Sequence, residues 1–495
     1  MKRTTLSLFA GTAALAAVTA FASASPPQAT ATASTARAAT RQPVARSTLV
    51  CPEPSSSDLA DTTYTSFTPV TEGAGSSGKA QLAAADGQSE DGSKTSKSGA
   101  PSVNPKEAGT PATDDVTGAD TPALVGTATG SLAPGWTVQE TTSVAAGAGR
   151  GLLGTDCTAP DTEFWFPGAS LAGSRTDYVD LTNPDDSAAV VDIQLYGKNG
   201  VLDSTVSDGI TVKPDTSEPI LLSTLTDATE TDVTVHVTVR SGRVGAVVQA
   251  LDDNVGGDFL AASADPASTL VLPGIPADAT DVRLIAFAPG SDDADLKLRL
   301  ASPNGSITPA GNETLTVKSG MTAVADLGAV TRGEAGSLIL SPSDGSVPVV
   351  AALQVVRGKG ADRETAFIPA TAPVGTRASV ADNSAKDSSL ALTAPGAAAK
   401  VRITASAGSE GGTAVSKEYT IAAGTTQNVT APVPTGAKGT YALTVEQLSG
   451  GNVYGSRTLK ATSDGVPAFT IQTLPDDRGM VEVPETQEDL SVLLK

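Results

Sequence analysis

The sequence predicts an all-β fold of tandem antiparallel β-sandwich modules, immunoglobulin-like and about 105 residues each, with a β-propeller as the alternative. Three observations predict it. The composition is turn-rich and poor in aromatics, with 49 Gly, 32 Pro and 3% aromatic residues in 495, unlike that of a helical enzyme. Short stretches alternate apolar and polar residues, the period-2 signature of half-buried strands. These stretches also recur. Ala189 to Gly200 (AVVDIQLYGKNG) and Ala294 to Gly305 (ADLKLRLASPNG) lie about 105 residues apart, and each runs into an Asn-Gly turn, Asn199-Gly200 and Asn304-Gly305. Ala399 to Ala405 begins a fainter third copy.

Taken in order, Met1 to Arg3 give a positive start, Leu6 to Phe21 an apolar run, and Ala22-Ser23-Ala24 a small-residue cleavage site. This reads as a secretory signal peptide over residues 1–24, since the apolar run is shorter than the roughly 20 residues that span a bilayer. Residues 25–47 read as a flexible leader. A first module follows over 48–160, carrying a Gly, Ser, Asp and Lys-rich stretch at 71–122 that reads as a disordered insertion. The second module is placed at 161–267, the third at 268–367 and the fourth at 368–480, with a tail at 481–495. Apolar-Pro steps mark the seams: Cys51-Pro52, Phe166-Pro167, Leu272-Pro273, Ile368-Pro369 and Leu474-Pro475. Strand candidates within 268–355 are 268–272, 282–288, 296–300, 314–317, 322–327, 337–340 and 347–355, a density that suits a two-sheet sandwich better than a pair of blades. Val233, Val235, Val237 and Val239 should face the core and His236 the solvent.

Charge and residue counts narrow the function. With 33 Lys and Arg against 54 Asp and Glu, a net charge of -21 argues against nucleic acid and against anionic lipid or wall polymers as partners. A single His removes most His-dependent catalytic arrangements and two-His zinc sites. Cys51 and Cys157, the two cysteines, both lie in the exported part and should form one disulfide. Gly73, Gly75 and Gly78 with Lys79 imitate the start of a phosphate loop, but Ala80 stands where a magnesium-holding Ser or Thr belongs. Gly149, Gly151 and Gly154, and the Ser76 and Lys79 pair, are likewise compositional coincidences. Acidic clusters at Asp185-Asp186, Asp252-Asp253-Asn254 and Asp292-Asp293-Asp295 fit no EF-hand and read as solvated turns. No cofactor or metal is expected. Aromatic residues gather only at Trp136, Phe164, Trp165, Phe166 and Tyr178, a candidate ligand patch whose plainer reading is packing at the junction of the first two modules.

At Cys51-Pro52, Asp156-Cys157, Phe164-Trp165-Phe166-Pro167-Gly168 and Leu181-Thr182-Asn183-Pro184-Asp185-Asp186 the chain resembles an uncharacterised family of large secreted proteins from high-GC Gram-positive bacteria. The likeness runs over about residues 48–480. It implies export and β architecture, and a domain of unknown function transfers no catalytic residue. The expectation is therefore a secreted, extracellular or cell-envelope-associated protein that is not an enzyme. It would act as a scaffold or binding module for an envelope component, polysaccharide or protein, and its mature chain would hold no transmembrane segment. The alternative is an envelope-glycan hydrolase working through paired carboxylates.

Overall fold

A computed structural model describes residues 40–85, 101, 103–204, 208–463 and 466–484. The chain divides into two compact units, residues 43–481 and residues 1–42 with 482–495. Of the latter, 40–42 and 482–484 are described; 40–42 belong to the strand Thr40–Pro43 and 482–483 to the strand Met480–Val483, which pair. The expected signal peptide, most of the leader and the end of the tail lie outside the described residues.

The large unit is built of small sheets whose strand pairs are antiparallel, and they come two by two, as in tandem β-sandwiches. The first pair combines Arg46–Cys51, Leu124–Gly130 and Gly78–Ala84 with Ala112–Thr117, Ala60–Phe67, Thr137–Val144 and Gly151–Asp156. In the second, Glu163–Ala169, Val233–Ser241 and Ala189–Gly197 face Arg175–Thr182, Gly245–Asp252 and Gly256–Leu260. The third sets Leu270–Ile275, Gly336–Asp344 and Ala294–Ser302 against Thr322–Asp326, Ala279–Phe287, Val350–Arg357 and Glu364–Pro369. The fourth sets Arg377–Asn383, Tyr441–Gly450 and Ala399–Gly408 against Thr425–Val429, Ser388–Ala394, Tyr454–Ser463 and Val466–Thr473. Between the sheets of each pair lies a separate core of mostly aliphatic side chains.

Alternation places these residues. In the second sandwich Val191, Ile193 and Leu195 are buried and pair across to Val239, Val237 and Val235. Burying each such side chain contributes about 1.5–3 kcal/mol. The seven strands expected within 268–355 are all strands here, with Gly305–Ile307 added as a short hairpin arm.

Two stretches depart from expectation. Residues 71–122 are not simply a disordered insertion: Gly78–Ala84 pairs with Leu124–Gly130, and Ala112–Thr117 pairs with Ala60–Phe67. Their Gly, Ser and Asp content hid a period-2 pattern of small residues, in which Ala80 and Leu82 enter the core while Lys79, Gln81 and Ala83 flank them. Residues 86–100 of that stretch lie outside the described residues. The leader, too, gives way to strand before residue 48, at Thr40–Pro43 and Arg46–Cys51.

In each sandwich one strand that is buried on both faces packs on its counterparts in the neighbouring sandwiches. Gly151–Asp156 packs on Gly256–Leu260, that strand on Glu364–Pro369, that on Val466–Thr473, and the last returns to Gly151–Asp156. Within this unit the four inner strands thus close on themselves. Each lends apolar side chains to its neighbour. Phe469 and Ile471 enter the core of the third sandwich, and Phe367 that of the second. Phe259 packs on Ala60, Val144 and Leu153 of the first, and Leu152 on Leu459 and Ala468 of the fourth. Cys51 and Cys157 are disulfide-bonded across 106 positions, tying the first sandwich's first strand to the end of its inner strand.

Candidate functional site

Where the second and third sandwiches meet, a cleft of about 570 Å³ opens, lined by Lys198, Thr229, Glu230, Thr231, Asp232, Thr322, Ala323 and Val324. Three local features build it. Ala189–Gly197 turns back through Lys198-Asn199, Gly200 opening the return arm at a positive φ of 113°, and this puts Lys198 at the rim. Residues 229–232 lead into Val233–Ser241. Thr322–Asp326, the edge strand of its sheet, forms the facing wall.

The polar side chains of the lining are held in place. Glu230 Oε2 accepts the Lys198 backbone N–H at 2.9 Å. Gly197 makes room for that carboxylate, since a Cβ there would stand 2.2 Å from Glu230 Oε2. Arg283 donates to both oxygens of Asp232 at 3.2 and 3.3 Å and to Asp326 at 2.8 Å. The Thr322 hydroxyl lies 2.7 Å from the Tyr196 carbonyl and 3.0 Å from the Thr234 hydroxyl. Behind this wall Trp165 stacks on His236 at 3.6 Å and packs on Phe287 and Val350 of the third sandwich.

His236 is half-buried rather than open to solvent. Alternation does set it on the face opposite Val235 and Val237, but there it stacks on Trp165, which Phe287 and Val350 of the third sandwich cover. Burial lowers its pKa, offset by Glu163, whose Oε1 lies 3.0 Å from His236 Nε2. The five aromatic residues expected as a patch are dispersed for the same reason. Phe164 and Phe166 enter the core of the second sandwich, Trp165 lies on the strand's other face, and both faces are covered. Trp136 lies in the first sandwich's core, its Nε1 donating to Ser66 Oγ at 2.8 Å. Tyr178 is half-buried on another sheet. Together they offer no continuous exposed face. Nothing in the sequence marks the cleft, because Lys198, Glu230, Asp232 and Thr322 are ordinary surface residue types that meet only when two sandwiches pack.

The acidic clusters hold turns and strand ends. Asp185 pairs with Arg243, which lowers its pKa, and Asp252 Oδ1 accepts the Asn254 N–H at 2.7 Å. Asp293 accepts the Ser319 N–H and Asp295 the Thr316 hydroxyl. Gly78 and Lys79 belong to a strand, not to a phosphate loop. Among the described residues, the one cluster of three metal-type ligands is Cys51, Glu140 and Cys157, and its sulfurs are joined to each other.

The carboxyls with the most displaced pKa values lie elsewhere, inside the junctions. Asp258 is fully buried: Oδ1 accepts the Gly154 and Phe259 N–H groups at 2.9 Å, and the Thr470 hydroxyl stands 3.0 Å away. Burial raises its pKa well above the usual range. Burial, with Asp180 nearby, does the same for Glu140, and burial, with Glu53 nearby, pushes Asp180 to about 8. Glu364 is pushed to about 7 by burial against its Arg150 partner, and Asp156 to about 7 against Arg457.

Among the described residues no helix is long and apolar enough to cross a membrane. Compared with known proteins, residues 112–432 match the model of a family described as "Family of unknown function (DUF5719)", a shorter reach than the 48–480 expected. No curated protein matches the chain.

Proposed function

Because the chain belongs to the DUF5719 family, whose function is unknown, function has to come from the geometry, and we propose a non-catalytic β-repeat protein that scaffolds or binds another envelope component. Its setting in this reading is extracellular, secreted or associated with the cell envelope, which the Cys51–Cys157 disulfide suits. Its partner is a polysaccharide or a protein.

One observation carries the reading. The acids with strongly raised pKa values, the groups a hydrolase needs in a cleft, are Glu140, Asp156, Asp180, Asp258 and Glu364; Asp156 is half-buried beside Arg457, and each of the other four is at most 4% exposed. They serve the packing of one sandwich on the next. The open cleft instead presents carboxylates held by an Arg283 bridge and a backbone N–H, positioned for contact rather than for proton transfer. The finer architecture is part of the proposal: immunoglobulin-like units of about 105 residues, repeated. In its support, Ala189–Gly197, Ala294–Ser302 and Ala399–Gly408 hold the same place in three sheets, each between a long strand and a short hairpin arm.

The test is to incubate the purified mature protein with fractionated envelope material from its own host and to analyse the pellet and the supernatant. Saturable co-sedimentation without released sugars or peptides is the expected result. Release of soluble fragments that stops when the protein is heat-unfolded overturns it in favour of a hydrolase.

A further inference from the structure

We propose that the cleft between the second and third sandwiches is a saccharide site, taking a neutral or amine-bearing sugar at an end or turn of an envelope polymer. The proposal rests on the binding-protein reading above and names its ligand and location.

The volume, about 570 Å³, falls within the roughly 300–1,000 Å³ of small-ligand sites. The lining fits a ring that carries hydroxyls around an apolar face. Two exposed threonine hydroxyls, Thr229 and Thr231, the latter donating to Asp232, stand with the Glu230 carboxylate and Lys198, while Ala323 and Val324 supply a narrow apolar strip. Val324 is 36% exposed although it lies in a strand. Glu230 Oε2 receives the Lys198 N–H, which fixes the carboxylate and leaves acceptor capacity for sugar hydroxyls.

Charge selects among saccharides. The lining holds one cation, Lys198, and two carboxylates, Glu230 and Asp232, and beside it Arg283 is shared between Asp232 and Asp326. The site is thus acidic on balance, on a protein of net charge -21, and it repels uronates and phosphates while tolerating an ammonium. An extended peptide is the competing occupant, since Thr322–Asp326 is an edge strand. One carbonyl of that edge is already used, however: the Asp326 carbonyl accepts Asn312 Nδ2–H at 3.0 Å, and the Thr322 side chain is held by the Tyr196 carbonyl. That shortens the ladder left for strand addition. The neighbouring rings of Trp165 and Phe287 are buried and give no stacking platform, so single-site affinity is modest and hydrogen bonding decides the fit.

The experiment uses the full mature chain and saturation-transfer NMR with three probes: a β-1,4-linked N-acetylglucosamine tetramer, the corresponding glucosamine tetramer and a galacturonate tetramer. Saturable transfer to the first two and none to the third is expected. Glu230→Gln keeps an acceptor for the Lys198 N–H yet loses the charge, and Val324→Asp removes the apolar strip; each should weaken binding at least tenfold with the unfolding midpoint unchanged. Equal binding of galacturonate, or full binding by both variants, overturns the site. The same variants, tested for envelope co-sedimentation, separate the two levels. Undiminished co-sedimentation by both variants overturns the cleft as the contact but leaves a binding protein. No co-sedimentation by the wild type removes both. Capture of an envelope protein through the cleft, with no sugar bound, overturns the ligand class.

Discussion

Asp258 shows how one residue can bind four strands. Its carboxyl meets the Gly154 N–H, its own neighbour Phe259, the Phe367 backbone and the Thr470 hydroxyl, one contact from each inner strand. Gly154 is what lets the first of these strands come so close. A Cβ there would stand 2.5 Å from Thr470 Cγ2 and 2.6 Å from Gln472 Nε2, while Gly173 has nothing within 4 Å of the same added atom. Gly154→Ala should therefore cost about 1–3 kcal/mol by overpacking, and Gly173→Ala close to nothing. Urea unfolding of the two variants measures this, and equal midpoints would count against a tight centre. Little of this was readable beforehand. Asp258 in GGDFL looks like any turn aspartate, because the donors that explain it come from 104 and 212 positions away. His236 was half readable: alternation gives its face correctly, but what covers that face is a matter of packing.

At the scale of strands and sheets, the sequence speaks clearly wherever one face is apolar and the other polar. Ala189–Gly197 and Ala294–Ser302 are such cases, and each turns back at its Asn-Gly step, the Asn ending the turn and the Gly opening the return arm. It speaks poorly where the strand is made of small residues. Gly78–Ala84 alternates Ala80 and Leu82 against Lys79, Gln81 and Ala83, a contrast too weak to stand out from the Gly and Ser around it. The disulfide acts at this scale. Cys51 ends a strand of one sheet of the first sandwich, Cys157 follows a strand of the other, and Val50 and Thr158 exchange two backbone hydrogen bonds beside it. This sandwich contains the Gly, Ser and Asp-rich stretch 71–122, which brings few large apolar side chains to its core, so a covalent tie adds to a thin core. Replacing both cysteines by serine should cost about 2–5 kcal/mol. Local destabilisation of the first sandwich, read as faster proteolysis within residues 43–157 than elsewhere, is the signature to look for; unchanged denaturation and proteolysis would mean that the packed sheets hold without it.

For the large unit as a whole, closure of the four inner strands could not be read from the sequence. Phe259, Phe367, Phe469 and Leu152 look like core residues of their own sandwiches, and only the structure shows that they serve their neighbours. Closure has a consequence for pH. It buries carboxyls in the junctions, and Asp156, Asp180 and Glu364 have pKa values raised to about 7, 8 and 7 from 3.8, 3.8 and 4.5. The folded form thus holds protons that the unfolded chain releases near pH 4. Stability from these groups is complete below their unfolded pKa values and is lost as pH rises through 7 to 8, with a slope of at most about 1.4 kcal/mol per pH unit for each group. Below about pH 4 the opposite shift of Asp185 and Asp278, lowered by their arginine partners, begins to act against the fold. The unfolding midpoint should therefore be higher at pH 5 than at pH 8.5. A net charge of -21 alone would give a trend of the same sign, but repulsion among surface charges is screened within about 10 Å at 0.1 M salt and further at higher salt, whereas the junction carboxyls lie away from solvent ions. The two causes separate in 0.5 M salt: a trend that survives there, and that Asp180→Asn reduces, belongs to the junctions. A trend that vanishes with salt, or that Asp180→Asn leaves untouched, would place the pH dependence on the surface and remove the junction carboxyls from the account of how the sandwiches hold together.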